Sequence, residues 1–207
     1  MAKLRITYNA PVVLTFALLA LVVTLLPMDL RRHYFAAHPT FIEWSSYTGL
    51  FTHMLAHADF EHYLGNFMLI LLLGPILEER HGSLSLLIMM LVTALVTGLA
   101  NVVLSGNLLM GASGIVFMMI LLASTANIRS GTIPLTFIAV AVIYLGAEVI
   151  KAFEKDDNVS QLGHILGGVT GAVFGFIHAR GDKTAAPTTT GAALAGAPGT
   201  ALRKKQP

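Results

Sequence analysis

Residues 111–126 read Gly-Ala-Ser-Gly-Ile-Val-Phe-Met-Met-Ile-Leu-Leu-Ala-Ser-Thr-Ala, and the length of this stretch decides the fold. From Gly114 to Ala126 it forms a thirteen-residue apolar run, which as a helix is about 20 Å long against a hydrocarbon core of ~30 Å. Five longer apolar stretches surround it, at residues 10–26, 60–77, 84–104, 133–150 and 159–177. Backbone polar groups in hydrocarbon must be satisfied within their own segment, and the two-residue alternation of a membrane barrel is absent, so all six are expected to be helices. The chain therefore reads as an all-α membrane protein, a six-transmembrane-helix bundle with a short, recessed fourth helix. If the inner end of that helix is fixed near Asn127-Ile128-Arg129, its outer end stops below the outer surface and residues 105–111 dip into the membrane. Irregular backbone at that depth requires surrounding protein or a water-filled cavity. A sunken aqueous cavity open to the outside follows.

Composition agrees with a bilayer as solvent. Of 207 residues, 55% are hydrophobic and only 12% charged, and the mean hydropathy is +0.74. A soluble domain cannot keep a hydrated surface on so few charges. The net charge is +2 with the basic residues scattered, so no nucleic-acid footprint is visible. With no cysteine, disulfides, thiolate metal sites and thiol nucleophiles are excluded. The basic start and apolar run of residues 1–27 also fit a cleaved leader, but no small-residue cleavage pattern follows. Residues 28–59, with Trp44 and the pair Arg31-Arg32, read as a long loop lying in the interface. The organisation expected is a cytoplasmic N-terminus at 1–9, the helical domain at 10–178 and a flexible cytoplasmic tail at 179–207. With both ends inside, Lys3, Arg5, Arg80, Arg129, Arg180, Lys183, Arg203, Lys204 and Lys205 face the cytoplasm against Arg31, Arg32, Lys151 and Lys155 outside. That nine-to-four bias favours this orientation.

Polar residues inside spans need a partner or a purpose. Ser113 heads the short helix between Gly111 and Gly114, where its hydroxyl would meet the cavity and the helix N-terminal N–H groups would face a developing oxyanion. Small-residue clusters also serve packing, so the motif alone leaves both readings open. His164 lies about four residues into the last span, at a depth comparable with Ser113. Its neighbours Gly163, Gly167, Gly171 and Gly175 form a small-xxx-small ladder that permits a close helix approach. A neutral imidazole there suits a general base, or it is an incidental histidine on a packing ladder. His62 and Asn66, four apart on one helix face, could both donate to an oxyanion or could form an interhelical clamp. Asp59 and Glu61 read as helix-start signals. His53, His57 and His62 raise the question of zinc, but no carboxylate stands at clear ligand spacing, and His57 is expected to bond the loop or hold water at the cavity mouth. No metal and no cofactor are expected.

Together these residues resemble the rhomboid protease family over about residues 45–178. Residues 51–57 followed by His62-Tyr63-Leu64-Gly65-Asn66 look like the family's exit from its first loop and its His-x-x-x-Asn motif. Gly74, Glu78, Arg80, Gly82 and Ser83 resemble its turn after the second span. Gly111-Ala112-Ser113-Gly114 matches Gly-x-Ser-Gly, and His164 with Gly167 and Gly171 matches His-x-x-Gly-x-x-x-Gly.

The resemblance implies a rhomboid-like bundle, a Ser113–His164 dyad without a third carboxylate, and an oxyanion hole from His62, Asn66 and the Ser113 N–H. It further implies cleavage of other proteins' transmembrane segments near the outer face, lateral entry between spans two and five, and a cap over the cavity at residues 149–158. The sequence departs from the family pattern at Thr48-Gly49, where Trp-Arg is frequent, at Phe117 in place of Tyr, and at Gly163 in place of Ala. Phe117 can still stack on His164. The expected partners are transmembrane substrates and the lipid bilayer, in a prokaryotic plasma membrane. The rival readings are a non-proteolytic, client-binding relative and a metal-dependent hydrolase built on His53, His57 and His62.

Overall fold

The computed structural model describes residues 7–105, 107–125, 133–154 and 159–181, and among these the chain is all helical, without strands. The elements are α1 (Pro11–Thr24), α2 (Met28–Tyr34), α3 (Trp44–Thr52), α4 (Phe60–His81), α5 (Ser83–Leu104), α6 (Ser113–Ser124), α7 (Leu135–Glu154) and α8 (Val159–Gly181). Each of the six expected stretches largely coincides with one helix. Ser113 is the first residue of the short helix α6, and α4 runs on to His81.

One expectation is corrected. Residues 28–59 are not simply a loop, because α2 and α3 lie within them. Both are short, seven and nine residues, and such helices exist only through tertiary packing, which no local period announces. Residues 149–154 of the expected cap continue α7. Residues 155–158 of that cap, residues 1–6 and the tail from 182 lie outside the described residues.

The helix starts follow from local chemistry. Asp59 caps α4, its carboxylate accepting the His62 N–H at 2.7 Å. α1 begins with Pro11, whose missing N–H is no loss in a first turn. Its N-cap Ala10 offers no side chain, and the cap comes from α4. Buried Glu78 accepts the Val12 and Val13 N–H groups, each at 3.0 Å, and the Ser83 hydroxyl at 2.7 Å. An anion at a helix N-terminus is favoured by the helix dipole, so one carboxylate joins α1, α4 and the start of α5. The Tyr63 hydroxyl adds a second tie to α1, donating to the Ala17 carbonyl at 3.1 Å.

At 22 residues each, α4 and α5 are long and apolar enough to cross a bilayer, whereas the apolar helices α1 and α6 are shorter. The surface fits such a setting, for Met68, Leu72 and Ile76 of α4 and Leu84, Ile88 and Val103 of α5 are exposed. α6 is the centre of the molecule. It contacts α4, α5, α7 and α8, and its residues Ile115, Val116 and Met118 to Leu122 are all buried. A helix enclosed on every side has no need of a polar face.

The closest approach is between α6 and α8. A Cβ on Gly167 would collide with the Gly114 carbonyl, and one on Gly171 with the Met118 carbonyl. One on Gly175 would strike the Thr125 side chain. At Gly163, by contrast, a Cβ would meet nothing within 4 Å. Gly171→Ala is therefore expected to cost about 1–3 kcal/mol through overpacking against backbone. Gly163→Ala should be neutral or gain up to about 1 kcal/mol of helix propensity. Thermal unfolding in detergent checks the pair, and equal losses at both positions would contradict the assigned contact.

Candidate active site

The segment that leads into α6 is held by several contacts. Gly111 has φ +131, a conformation that L side chains rarely adopt. A Cβ there would come within 2.9 Å of His62 Cε1 and 3.9 Å of Asn66 Nδ2. Glycine at 111 is thus what lets the backbone ahead of Ser113 lie against both side chains of the His-x-x-x-Asn pair. In addition, the Gly111 N–H donates to the His53 carbonyl at 2.9 Å, and the Ala112 N–H donates to His57 Nε2 at 3.3 Å. A reciprocal pair of 3.0 Å bonds between Ala37 and Leu109 pins the preceding residues.

Ser113 is the first residue of α6 and is half-buried. The imidazole of His164 lies flat on Phe117, with ring centroids 4.5 Å apart and planes within 6°. Phe117 is one helical turn beyond Ser113 and on the same face, so His164 is stationed over the side of α6 that starts with Ser113. The Gly114–Gly167 backbone contact sets that station, because Gly167 follows His164 by three residues. His62 stands against Gly111, two residues before the start of α6. Asn66 is buried, and among the described residues its Nδ2 has no hydrogen-bond partner. Ser113, His164, His62 and Asn66 are thereby gathered around Gly111 and the N-terminus of α6, with Gly114, Phe117, Gly167 and Gly171 in the scaffold beneath them.

The other two histidines are structural neighbours of this centre. His53 is the C-cap of α3. The helix does not continue to His57, so these two do not share a helix face. His53 Nε2 contacts the Ala94 carbonyl at 3.1 Å, while His57, fully buried, has its ring against His62, Tyr63 and Phe67. Their nitrogens are turned to different partners, and among the described residues no group of three metal-capable side chains forms.

Because His57 Nε2 accepts a hydrogen bond from an amide, the ring must be neutral with its proton on Nδ1, which faces the Leu55 carbonyl at 3.3 Å. Burial, and next the nearby charge of His62, push its pKa down from 6.5 to about 4.

Two contributors were not recognised as such in the sequence. Arg31, counted there as an outer charge, is buried, and its guanidinium donates to the carbonyls of His57 and Ala58. The only signal was its place in the Arg31-Arg32 pair, which does not say which arginine turns inward. A threonine stripe on α5 is the other. The Thr97 hydroxyl lies 3.4 Å from His53 Nε2, and Thr93 lies 3.2 Å from Thr170 of α8. The four-residue spacing of Thr93 and Thr97 was the available clue.

The Rhomboid domain family model matches residues 44–181, two thirds of the chain. Rhomboid-related protein 1 of Caenorhabditis elegans is 33% identical over 137 residues, covering 61% of this chain. The chain spans only 38% of that relative's length. An animal relative lends no support to the expected prokaryotic membrane. The family match and the apolar helices make this an integral membrane protein.

The buried His57 makes stability depend on acid. Its folded pKa is about 4 and its unfolded value near 6.5, so between these the unfolded chain binds the extra proton and stability falls as pH falls. The contribution is complete above pH 6.5 and is lost on descent to pH 4, amounting to about 3 kcal/mol. His57→Gln, which retains an acceptor for the Ala112 N–H without titrating, should remove that part of the slope. Melting temperatures of both proteins from pH 7 to 4 test this, and parallel curves would refute it.

Proposed function

Because the chain belongs to the rhomboid family, we propose that it is an intramembrane serine endopeptidase working by a Ser113–His164 dyad. The observation that carries this reading is the stacking of His164 on Phe117, one turn from Ser113, across the glycine contact of α6 and α8. His164 takes the Ser113 proton, Ser113 attacks the scissile carbonyl, and His164 returns the proton to the leaving amine. Water from the cavity then hydrolyses the acyl-enzyme, with His164 again the base. The negative oxygen of each tetrahedral intermediate is held by the Ser113 N–H, His62 and Asn66. Support for Asn66 in that role is its buried amide nitrogen beside Gly111. A group kept dry and unbonded costs stability unless a ligand uses it.

In this reading the six helices α1, α4, α5, α6, α7 and α8 form the membrane-embedded bundle, with α6 too short to reach both faces and both termini cytoplasmic. The substrate is the transmembrane segment of another protein, cut near the outer face. It enters sideways between α4 and α7, which share no extensive contact among the described residues. The cleaved stretch must unwind first, because helical amides are hydrogen-bonded and shielded, so segments with glycine, proline or small residues are preferred. No cofactor takes part.

The test is a purified preparation given a fluorophosphonate probe and, separately, a transmembrane substrate rich in small residues. Labelling is expected on Ser113 and absent in Ser113→Ala. Cleavage by His164→Ala should fall by at least about 10³-fold, and by Asn66→Ala by about 10²-fold in kcat. Full cleavage by Ser113→Ala would overturn the dyad. No cleavage and no labelling in the intact chain would leave the client-binding, non-proteolytic relative as the reading.

A further inference from the structure

An apolar groove of about 370 Å³ lies between α1 and α5, against the connection from α3 to α4. Thr15 and Leu19 of α1, Leu87 and Met90 of α5, and Met54 and Leu55 of the connection line it. The Thr15 hydroxyl is engaged with the Tyr8 hydroxyl at 2.9 Å, and water has no set of polar partners in such a place. The flanks of the groove are the exposed side chains of Leu18, Leu19, Leu87 and Ile88. It therefore opens onto the surface that an integral membrane protein gives to lipid.

Size selects the occupant. Along α1 the lining runs from Pro11 to Leu19, nine residues that span about 12 Å of helix, close to one leaflet's share of a ~30 Å hydrocarbon core. A helix of a second copy, about 10 Å across with its side chains, is far too thick for the volume. We propose that the groove binds one acyl chain of a membrane lipid, from the leaflet in which α1 begins, and that this chain braces the connection behind the Ser113 segment. Met54 and Leu55 stand between His53, whose carbonyl holds the Gly111 N–H, and His57, whose ring holds the Ala112 N–H. Packing lost beneath Met54 and Leu55 is felt within two residues at both anchors. The bracing rests on the serine protease reading, whereas the binding does not.

The 207-residue chain, stripped of lipid in detergent and incubated with dioleoyl phosphatidylcholine, would be examined by native mass spectrometry. One phosphatidylcholine per chain is expected to survive detergent exchange. The doubly filled variant Thr15→Phe/Leu87→Trp should bind at least tenfold more weakly, and Thr15→Phe alone serves if the double variant does not fold. Leu72→Trp, an equally bulky change on an exposed face of α4, should bind as the natural chain does. Retention unaltered by filling the groove, several lipids lost in no order, or none retained would each overturn the site. A dimer abolished by filling would assign the groove to a second copy and overturn it as well. In the same samples, restoring lipid should speed fluorophosphonate labelling of Ser113 at least threefold in the natural chain and leave the filled variant unchanged. One bound lipid with an unchanged labelling rate would refute the bracing. One bound lipid with no labelling of Ser113 at all would refute the protease reading and uphold the site.

Discussion

Two helix backbones in contact determine the rest of this molecule. α6 and α8 meet at Gly114 with Gly167, Met118 with Gly171 and Thr125 with Gly175. Apart from the Thr125 side chain at the last of these, nothing larger than a hydrogen separates the chains. Lipid tails are as apolar as leucine, so helices in a bilayer gain little from hiding apolar side chains and associate by close packing and hydrogen bonds. The glycine edge of α8 gives α6 that packing. It also fixes the register, and the register carries His164 to the ring of Phe117 beside Ser113. A one-residue slip of α8 would rotate His164 about 100° away from that face.

Around this contact, polar groups are used for positioning in a setting where each must be matched. Glu78 satisfies the first turn of α1 from 65 residues away, and Arg31 holds the carbonyls of His57 and Ala58. His53 and His57 hold the two residues ahead of Ser113 through their carbonyl and imidazole respectively. Each of these bonds joins segments distant in sequence, and each buried partner would cost a few kcal/mol if left alone. The backbone at Gly111 is thereby confined to a conformation that only glycine takes readily.

What could be read from the sequence was what local periodicity encodes. The brevity of α6, the four-residue glycine spacing of α8, the shared face of His62 and Asn66, and the Asp59 start of α4 are all properties of single segments. The stacking of Phe117 on His164 was within reach because one turn separates Phe117 from Ser113. The helices α2 and α3 were not legible, since segments of seven and nine residues show too few turns for a period. Nor were the roles of Arg31 and Glu78, whose partners are far along the chain and are mostly backbone atoms, which every residue possesses. The separate settings of His53 and His57 were not legible either, because they follow from where α3 ends, at Thr52.

The meeting of one hydroxyl and one imidazole across the α6–α8 contact is open to a direct chemical measurement. A peptide chloromethyl ketone is attacked by a serine nucleophile and then alkylates the histidine beside it, so a true dyad is joined by a single molecule. Mass mapping of the treated protein should find one adduct bridging Ser113 and His164. Alkylation of other histidines with His164 untouched, or separate modification of the two residues on different molecules, would contradict the dyad.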